Sequence, residues 1–306
     1  MPQTPHRRAP ERSNTCGVVV TYFPGAACAA NLAAIGSQVD RLFVIDNGSS
    51  EQSLEPIQLA ASKVGATSVR MGHNLGIAAA LNRGLELARL HGYGWLATFD
   101  QDSCPTPGMI EEMFRALQSC PQSGQVAIIA PRYIDERLGI TLEQEPGESG
   151  DAGWRIIPST MTSGNLVDVH AATAVDGFDE SLFIDYVDHD FSFRLHQHGF
   201  SVLEARGARL FHSLGQITEH HFLWKRVQVT NHPAVRRYYM SRNRLILWRR
   251  YWAGESAWVR HDIRSFLVES MGILLYERNR WAKLGMLIRG ILDAFRGVRG
   301  QWKAAT

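Results

Sequence analysis

Short apolar runs and helical patterns alternate along the first 131 residues, and this alternation restricts the fold more than any other feature of the chain. Gly17 to Tyr22 reads as a strand, followed by an Ala-rich helix near Ala26 to Ile35. Arg41 to Ile45 is a second strand, followed by a helix over Glu51 to Val64. Ser68 to Met71 leads into a helix over Gly76 to Leu90. Trp95 to Phe99 precedes a helix after Pro107, and Val126 to Pro131 is the fifth strand. Strands separated by helices of this length build βαβ units and hence an α/β fold with a parallel sheet. Right-handed crossovers then bring the strand C-termini to one edge, where ligands bind.

The fourth of these strands ends in Asp100-Gln101-Asp102. Two carboxylates at i and i+2 on the exit of a buried strand gain little from folding, because each prefers water and the like charges repel. Mg²⁺ or Mn²⁺ removes that conflict, taking hard oxygen ligands and keeping positions open for phosphate oxygens. The competing reading is a solvated acidic turn helped by Ser103 and Pro105.

The other strand ends carry weaker signals. The first ends Thr21-Tyr22-Phe23-Pro24-Gly25, without the Gly-x-Gly-x-x-Gly turn of a dinucleotide fold, and no P-loop follows. The second ends Asp46-Asn47-Gly48-Ser49, where Asn-Gly is good turn chemistry and Asp46 is able to accept a hydrogen bond from a base N–H. The third leads to Asn74-Leu75-Gly76 and a helix. Asn74 reads as its cap, and Gly76 with the helix N-terminus also suits a diphosphate.

Beyond the fifth strand, Tyr133 to Trp154 is rich in Gly, Glu and Asp and reads as a loop or weak hairpin. A strand follows near Asn165 to Val169, a helix runs from Asp188 to Gly199, and Ser201 to His212 reads as strand, turn and strand. From about His232 onward the pattern is helical. Cys16, Cys28, Cys104 and Cys120 lack Cys-x-x-Cys spacing and read as idle thiols of a reducing compartment. No run approaches the ~18 to 20 apolar residues of a membrane span. From His221 to Thr306 there are 17 basic and 5 acidic residues, against 15 and 25 in the rest of the chain. Such a split indicates two tasks: an acidic part able to hold a metal and a basic part able to meet an anionic surface. These observations divide the chain into a tail over 1–15, a catalytic domain over 16–230 and a basic amphipathic helical region over 231–306.

The order of Asp46-Asn47-Gly48-Ser49, Asn74-Leu75-Gly76 and Asp100-Gln101-Asp102, each after a strand, resembles the inverting glycosyltransferases of family 2. So do Gly177-Phe178-Asp179-Glu180-Ser181-Leu182-Phe183-Ile184-Asp185 and Asp188-His189-Asp190-Phe191-Ser192-Phe193-Arg194. The resemblance covers roughly Val18 to Arg244. It departs at the usual Glu-Asp pair, which here is Val187-Asp188. Within the family, Phe99 to Ser103 and Arg236 to Asn243 look most like bacterial rhamnosyltransferases.

The resemblance implies a GT-A fold, a mixed and mostly parallel sheet flanked by helices. It also implies single-displacement transfer of L-rhamnose from dTDP-L-rhamnose to a glycolipid or lipid-linked saccharide. Asp188 is then the general base; Asp102 and His212 are metal ligands for Mg²⁺ or Mn²⁺. Thr21, Tyr22, Asp46, Asn74, Gly76, Asp100 and Gln101 line the nucleotide, and Asp185 and Asp190 lie on the acceptor side. A cytoplasmic protein, peripheral on the inner face of the cytoplasmic membrane and touching anionic lipid but no nucleic acid, is the matching expectation.

Three rivals stand beside this reading. One is a family 2 enzyme with a UDP-sugar donor. Another is an Asp-nucleophile phosphatase, although that family places Asp-x-Asp after its first strand. The third is a non-enzymatic basic membrane- or nucleic-acid-binding protein, which leaves Asp100, Asp102 and Asp188 without a role. In the last helix, Trp281, Leu284, Leu287, Ile288, Ile291 and Phe295 form an apolar stripe suited either to core packing or to lipid.

Overall fold

The computed structural model describes residues 10–135, 140–142, 148–149, 153–212, 218–222 and 225–303. They fall into two compact units, Met1–Glu180 with Val187–Ser213, and Ser181–Tyr186 with Leu214–Thr306. The expected boundary near residue 230 therefore moves to 213, and a six-residue segment of the motif region joins the second unit.

The first unit alternates as its pattern requires. β1 (Thr15–Thr21), α1 (Cys28–Gly36), β2 (Arg41–Asp46), α2 (Glu51–Lys63), β3 (Thr67–Arg70), α3 (Ile77–Leu90) and β4 (Trp95–Asp100) come first. β5 (Cys104–Pro105), α4 (Met109–Ser119) and β6 (Val126–Asp135) follow. Then come β7 (Ile140–Leu142), β8 (Glu148–Ser149), β9 (Trp154–Ile157), β10 (Asn165–Asp168), α5 (Val169–Ala174), α6 (Val187–Gln197) and β11 (Ser201–Phe211). The eleven described strands form one sheet along the path β3-β2-β1-β4-β10-β6-β11-β9-β8, with β5 on β11 and β7 on β6. The sheet is mixed because β10 runs antiparallel to both β4 and β6.

Val19, Leu32, Ile35, Val44, Trp95, Phe99, Met113, Ile129 and Leu203 share one buried core beneath the sheet. Each large side chain so removed from water contributes about 1.5–3 kcal/mol before the entropy of ordering is counted. Gly84 in α3 lets that helix lie close on β1, since a Cβ there would meet Val18 at 3.0 Å. Burial pushes the Cys16 and Cys28 thiols up to about 12 and about 11, which fits their reading as inert core residues.

The structure differs from the sequence reading at two places in this unit. Asn165 to Val169 is a strand only to Asp168, whose side chain then caps α5 by accepting from Ala171 N at 2.7 Å. Ser201 to His212 is one long strand with a register irregularity between Glu204 and Arg209, where a turn is expected. Tyr133 to Trp154 is expected to be a loop or a weak hairpin, and its described residues hold β7 antiparallel to β6 and β8 antiparallel to β9; the rest lies outside the described residues.

The second unit holds the hairpin β12 (Thr218–Phe222) and β13 (Lys225–Val229), then α7 (Ala234–Tyr251), α8 (Ser256–Tyr276) and α9 (Arg280–Phe295). Part of its basic content is internal. Arg237, Arg242, Arg244 and Lys283 are buried. Glu277 pairs with both Arg237 and Lys283, and Arg244 engages Asp262 and Glu269. Burial and the nearby Arg236, Arg237 and Lys283 depress the His232 pKa to about 3.

Three bulky residues of the Ser181–Tyr186 segment have left-handed backbone: Phe183 (φ 68°), Asp185 (φ 64°) and Tyr186 (φ 66°). Such residues cost on the order of 1–3 kcal/mol each unless their surroundings hold them. Asn243 does so, its Nδ2 donating to the carbonyls of Leu182, Ile184 and Asp185 at 2.9, 2.8 and 3.0 Å. Arg242 adds a bond to Leu182 O at 2.9 Å and stacks its guanidinium on Tyr238 and Tyr239. Among the described residues, no helix is long and apolar enough to cross a membrane.

Candidate active site

The parallel register aligns Thr21 with Asp46, Asp46 with Arg70, and Val20 with Asp100. Four strand ends thus open onto one edge, and the loops that leave them are tied together. Asn47 Nδ2 donates to Asn74 Oδ1 at 3.2 Å, and Leu75 N donates back to Asn47 Oδ1 at 2.9 Å. Gly48 makes this crossing feasible: it has φ +94°, and a Cβ there would lie 2.5 Å from Asn74 N. Phe23 N donates to Ser49 Oγ, and Tyr22 N donates to Gln101 Oε1, both at 2.8 Å. Tyr22 stays half-exposed beside Phe23, with ring centroids 4.8 Å apart.

Two of the residues expected to line the nucleotide also hold the loops together. Asp46 is buried and accepts from Gly48 N, Ser49 N, Ser49 Oγ and Thr21 Oγ1. These bonds fix the turn at the end of the second strand. Gly76 N donates to Asn74 Oδ1 at 2.9 Å, so the Asn74 side chain bonds the residue just before α3 and not an amide inside it. Tyr22, Gln101, Asp100 and Asp102 are half-buried or exposed at the same edge.

Asp100, Asp102 and His212 come together, each offering a ligand atom within 4.8 Å of the others. His212 arrives from the end of β11, far away in sequence. Its Nδ1 lies 2.8 Å from Ser103 Oγ and 3.7 Å from Asp102 Oδ1. Ser103 Oγ in turn meets Ser163 Oγ at 2.7 Å, and Ser163 Oγ accepts from Asp100 N at 2.9 Å. This chain fixes both the imidazole and the strand end. The donor set of two carboxylates and one imidazole suits Mn²⁺ and, with its oxygens, Mg²⁺. Outer-shell hydroxyls of this kind hold a ligand's orientation.

Asp188 occupies the first turn of α6 and lines a small cavity with Thr98, Thr160, Thr162, Asn165 and Phe178. Buried Tyr133 lies within the field of both ends of this site: burial raises its pKa most, and Asp100 and Asp188 raise it further. Its hydroxyl donates within the Thr160–Ser163 segment, with Ser163 O at 2.8 Å. Asp190 is fully buried and pairs with Arg194 at 2.7 Å, so its expected acceptor-side position is corrected to a structural one. Asp185 belongs to the second unit, where Arg236 binds its carboxylate at 2.9 to 3.2 Å.

Sequence reading missed Asn47, Ser103, Ser163, Tyr133 and Asn82. The polar run Ser159-Thr160-Met161-Thr162-Ser163 just before an apolar strand was the available signal for Ser163. Asn82 gave none. It lies in α3 and clamps Phe178 through both N–H and C=O, at 2.8 and 2.9 Å, beside Gly177 at φ +67°.

Residues 18–167 match the family model described as Glycosyl transferase family 2. The dTDP-rhamnosyl transferase RfbF of Shigella flexneri is 28% identical over 316 residues, covering 94% of this chain and 97% of its own length. Mannosyltransferase PcManGT of Pyrobaculum calidifontis, solved with GDP-Man and Mn²⁺, shares the fold with a TM-score of 0.57 at 12% identity, over 96% of this chain and 91% of that one. GalNAc-T7, solved with UDP, GalNAc and Mn²⁺, has a TM-score of 0.59 at 11% identity, over 94% of this chain and 56% of that longer one.

The loop crossing yields a test. Gly48→Ala should cost at least about 1–3 kcal/mol from backbone strain alone, with the close contact added. A thermal melt shows it; an unchanged midpoint would mean that the Asn47–Asn74 crossing does not depend on Gly48. The matched segment, the sheet and the strand-edge carboxylates together identify residues 18–167 as a glycosyltransferase family 2 domain, and the protein is a glycosyltransferase.

Proposed function

We propose that this enzyme transfers L-rhamnose from dTDP-L-rhamnose, with inversion, to a hydroxyl of a glycolipid or lipid-linked saccharide at the inner face of the cytoplasmic membrane. The observation that carries the reading is the meeting of Asp100, Asp102 and His212 at the edge where the strand-end loops converge. The donor rests on the named activity of the Shigella flexneri relative.

Asp102 and His212, with Asp100 beside them, would hold Mg²⁺ or Mn²⁺, which would supply charge compensation for a nucleotide diphosphate leaving group. Ser103 holds the His212 ring so that its Nδ1 is committed. Tyr22 offers an exposed ring on which a base stacks, and Gln101 fixes the Tyr22 backbone from the metal side. Thr21 and Asp46 support this pocket from below through their own hydrogen bond at 3.3 Å. Asp188 takes the proton of the acceptor hydroxyl as its oxygen attacks C1 and the C1–O bond to the diphosphate breaks. Its carboxylate stands in the first turn of α6, at the cavity that Thr98, Thr160 and Asn165 also line. A single displacement on a β-linked donor gives an α-L-rhamnoside.

Donor choice is tested by competition among dTDP-L-rhamnose, UDP-glucose and UDP-N-acetylglucosamine, reading nucleotide release. The reading expects dTDP-L-rhamnose to be consumed first. A pocket that must tell thymine from uracil by one methyl gains only ~1–3 kcal/mol from it, so the sugar should dominate. Clear preference for a UDP-sugar would overturn the donor.

The base is tested separately. Asp188→Asn should leave donor affinity intact and lower kcat by about 10²–10⁴-fold. Normal turnover by this variant would remove Asp188 from the mechanism.

A further inference from the structure

We infer that the outward faces of α8 and α9 form a docking surface for an anionic lipid leaflet. On α8, Leu267, Val268, Met271, Leu274 and Leu275 are exposed and spaced i, i+1, i+4, i+7 and i+8, which places them on one face of the helix. On α9, Trp281, Ile288, Leu292 and Phe295 follow i, i+7, i+11 and i+14 and form a second stripe. Trp281 is 72% exposed, Phe295 67% and Leu267 62%. The side of α9 that packs inward is a different one, carried by Leu287, Gly290 and Ala294. Of the apolar stripe read from sequence, Trp281, Ile288 and Phe295 are exposed, Leu284 and Ile291 half-buried and Leu287 buried.

Charge selects the occupant. Between Ser256 and Lys303 the acidic residues are Asp262, Glu269, Glu277 and Asp293. All four are buried or half-buried and ion-paired to arginine or lysine of the same unit. The exposed charged side chains of this stretch are all cationic: Arg260, Arg264, Arg278, Arg280, Arg289, Arg296, Arg299 and Lys303. Arg264 and Arg260 continue the α8 stripe toward its N-terminus, about one and two turns before Leu267. A second copy of this face would meet it with like charge, which opposes self-association. An anionic leaflet accepts both parts, the arginines at the headgroups and the large apolar side chains at the acyl boundary. Neither helix is apolar enough to span a bilayer, so the mode is in-plane attachment. The inference does not rest on the donor or on the transfer reaction.

The test is flotation of the full chain with vesicles of phosphatidylcholine, alone or mixed with phosphatidylglycerol. Two variants accompany it: Trp281→Ser/Ile288→Ser/Phe295→Ser and Arg260→Gln/Arg264→Gln/Arg278→Gln. All substituted residues are exposed, and circular dichroism melts verify the fold. The wild type should float with the anionic vesicles and not with phosphatidylcholine, and added salt should release it. Each variant should bind roughly tenfold more weakly or worse. If the apolar variant does not fold, the charge variant decides alone. The inference is overturned if the wild type ignores anionic vesicles at low salt, or if the folded variants float as well as the wild type. It is equally overturned if sedimentation shows that the apolar substitutions only dissociate a dimer and leave vesicle binding unchanged.

Discussion

The parallel register of β1, β2, β3 and β4 is the constraint on which the site depends. A one-residue slip in any of these pairs would turn every side chain of that strand to the opposite face. In the observed register Thr21 stands opposite Asp46, and Val20 opposite Asp100. Asp46 can then gather four donors from the first two strand ends, and Asn47 can reach across to Asn74. The apolar core holds the register from below, with Trp95 and Phe99 fully enclosed on the strand that delivers the carboxylates. Packing and chemistry are thus two consequences of the same alignment. The price is a cluster of negative charge at one edge, which the protein offsets only in part, through Ser163, Ser103 and His212.

The fold was legible because its signals are local. Strand and helix periods, the turn residues Asn47-Gly48 and the acidic pair after a buried strand all lie within a few residues of one another. The positions of β1 to β4 and α1 to α3 follow from them to within about two residues at either end, as does the start of α4, which is the ordinary uncertainty of element boundaries. What escaped is long-range. Ser163 reaches Asp100 across 63 residues, and Asn82 reaches Phe178 across 96. No pattern within a window reports such a bond. His212 was found only because its place along the motif series resembles the family's. Asp46 and Gly76 stand at the expected edge and also tie the loops to one another, a second task that no local pattern reports.

Charge counting in the C-terminal unit was informative in sign and misleading in use. The excess of basic residues suggests an anionic partner, but Arg237, Arg242, Arg244 and Lys283 serve internal pairs and the carbonyl groups of Ser181–Tyr186. A buried cation left unpaired costs several kcal/mol, so each of these is matched by a carboxylate or by carbonyl oxygens. Most of the described cations are exposed, and along α8 and α9 no carboxylate is exposed beside them. That separation of internal pairs from surface cations is a property of the folded unit, invisible to a tally.

The account stands or falls on whether the strand-edge cluster holds a divalent ion that nucleotide binding needs. Calorimetric titration of dTDP into the full chain, with Mn²⁺ and then with a chelator, tests this directly, alongside Asp102→Ala with its melt verified. The account predicts binding that requires Mn²⁺ in the wild type and weakens by at least about tenfold in the variant, the order expected for loss of a metal contact. Equal dTDP affinity with and without the metal, or in the wild type and a folded Asp102→Ala, would contradict it.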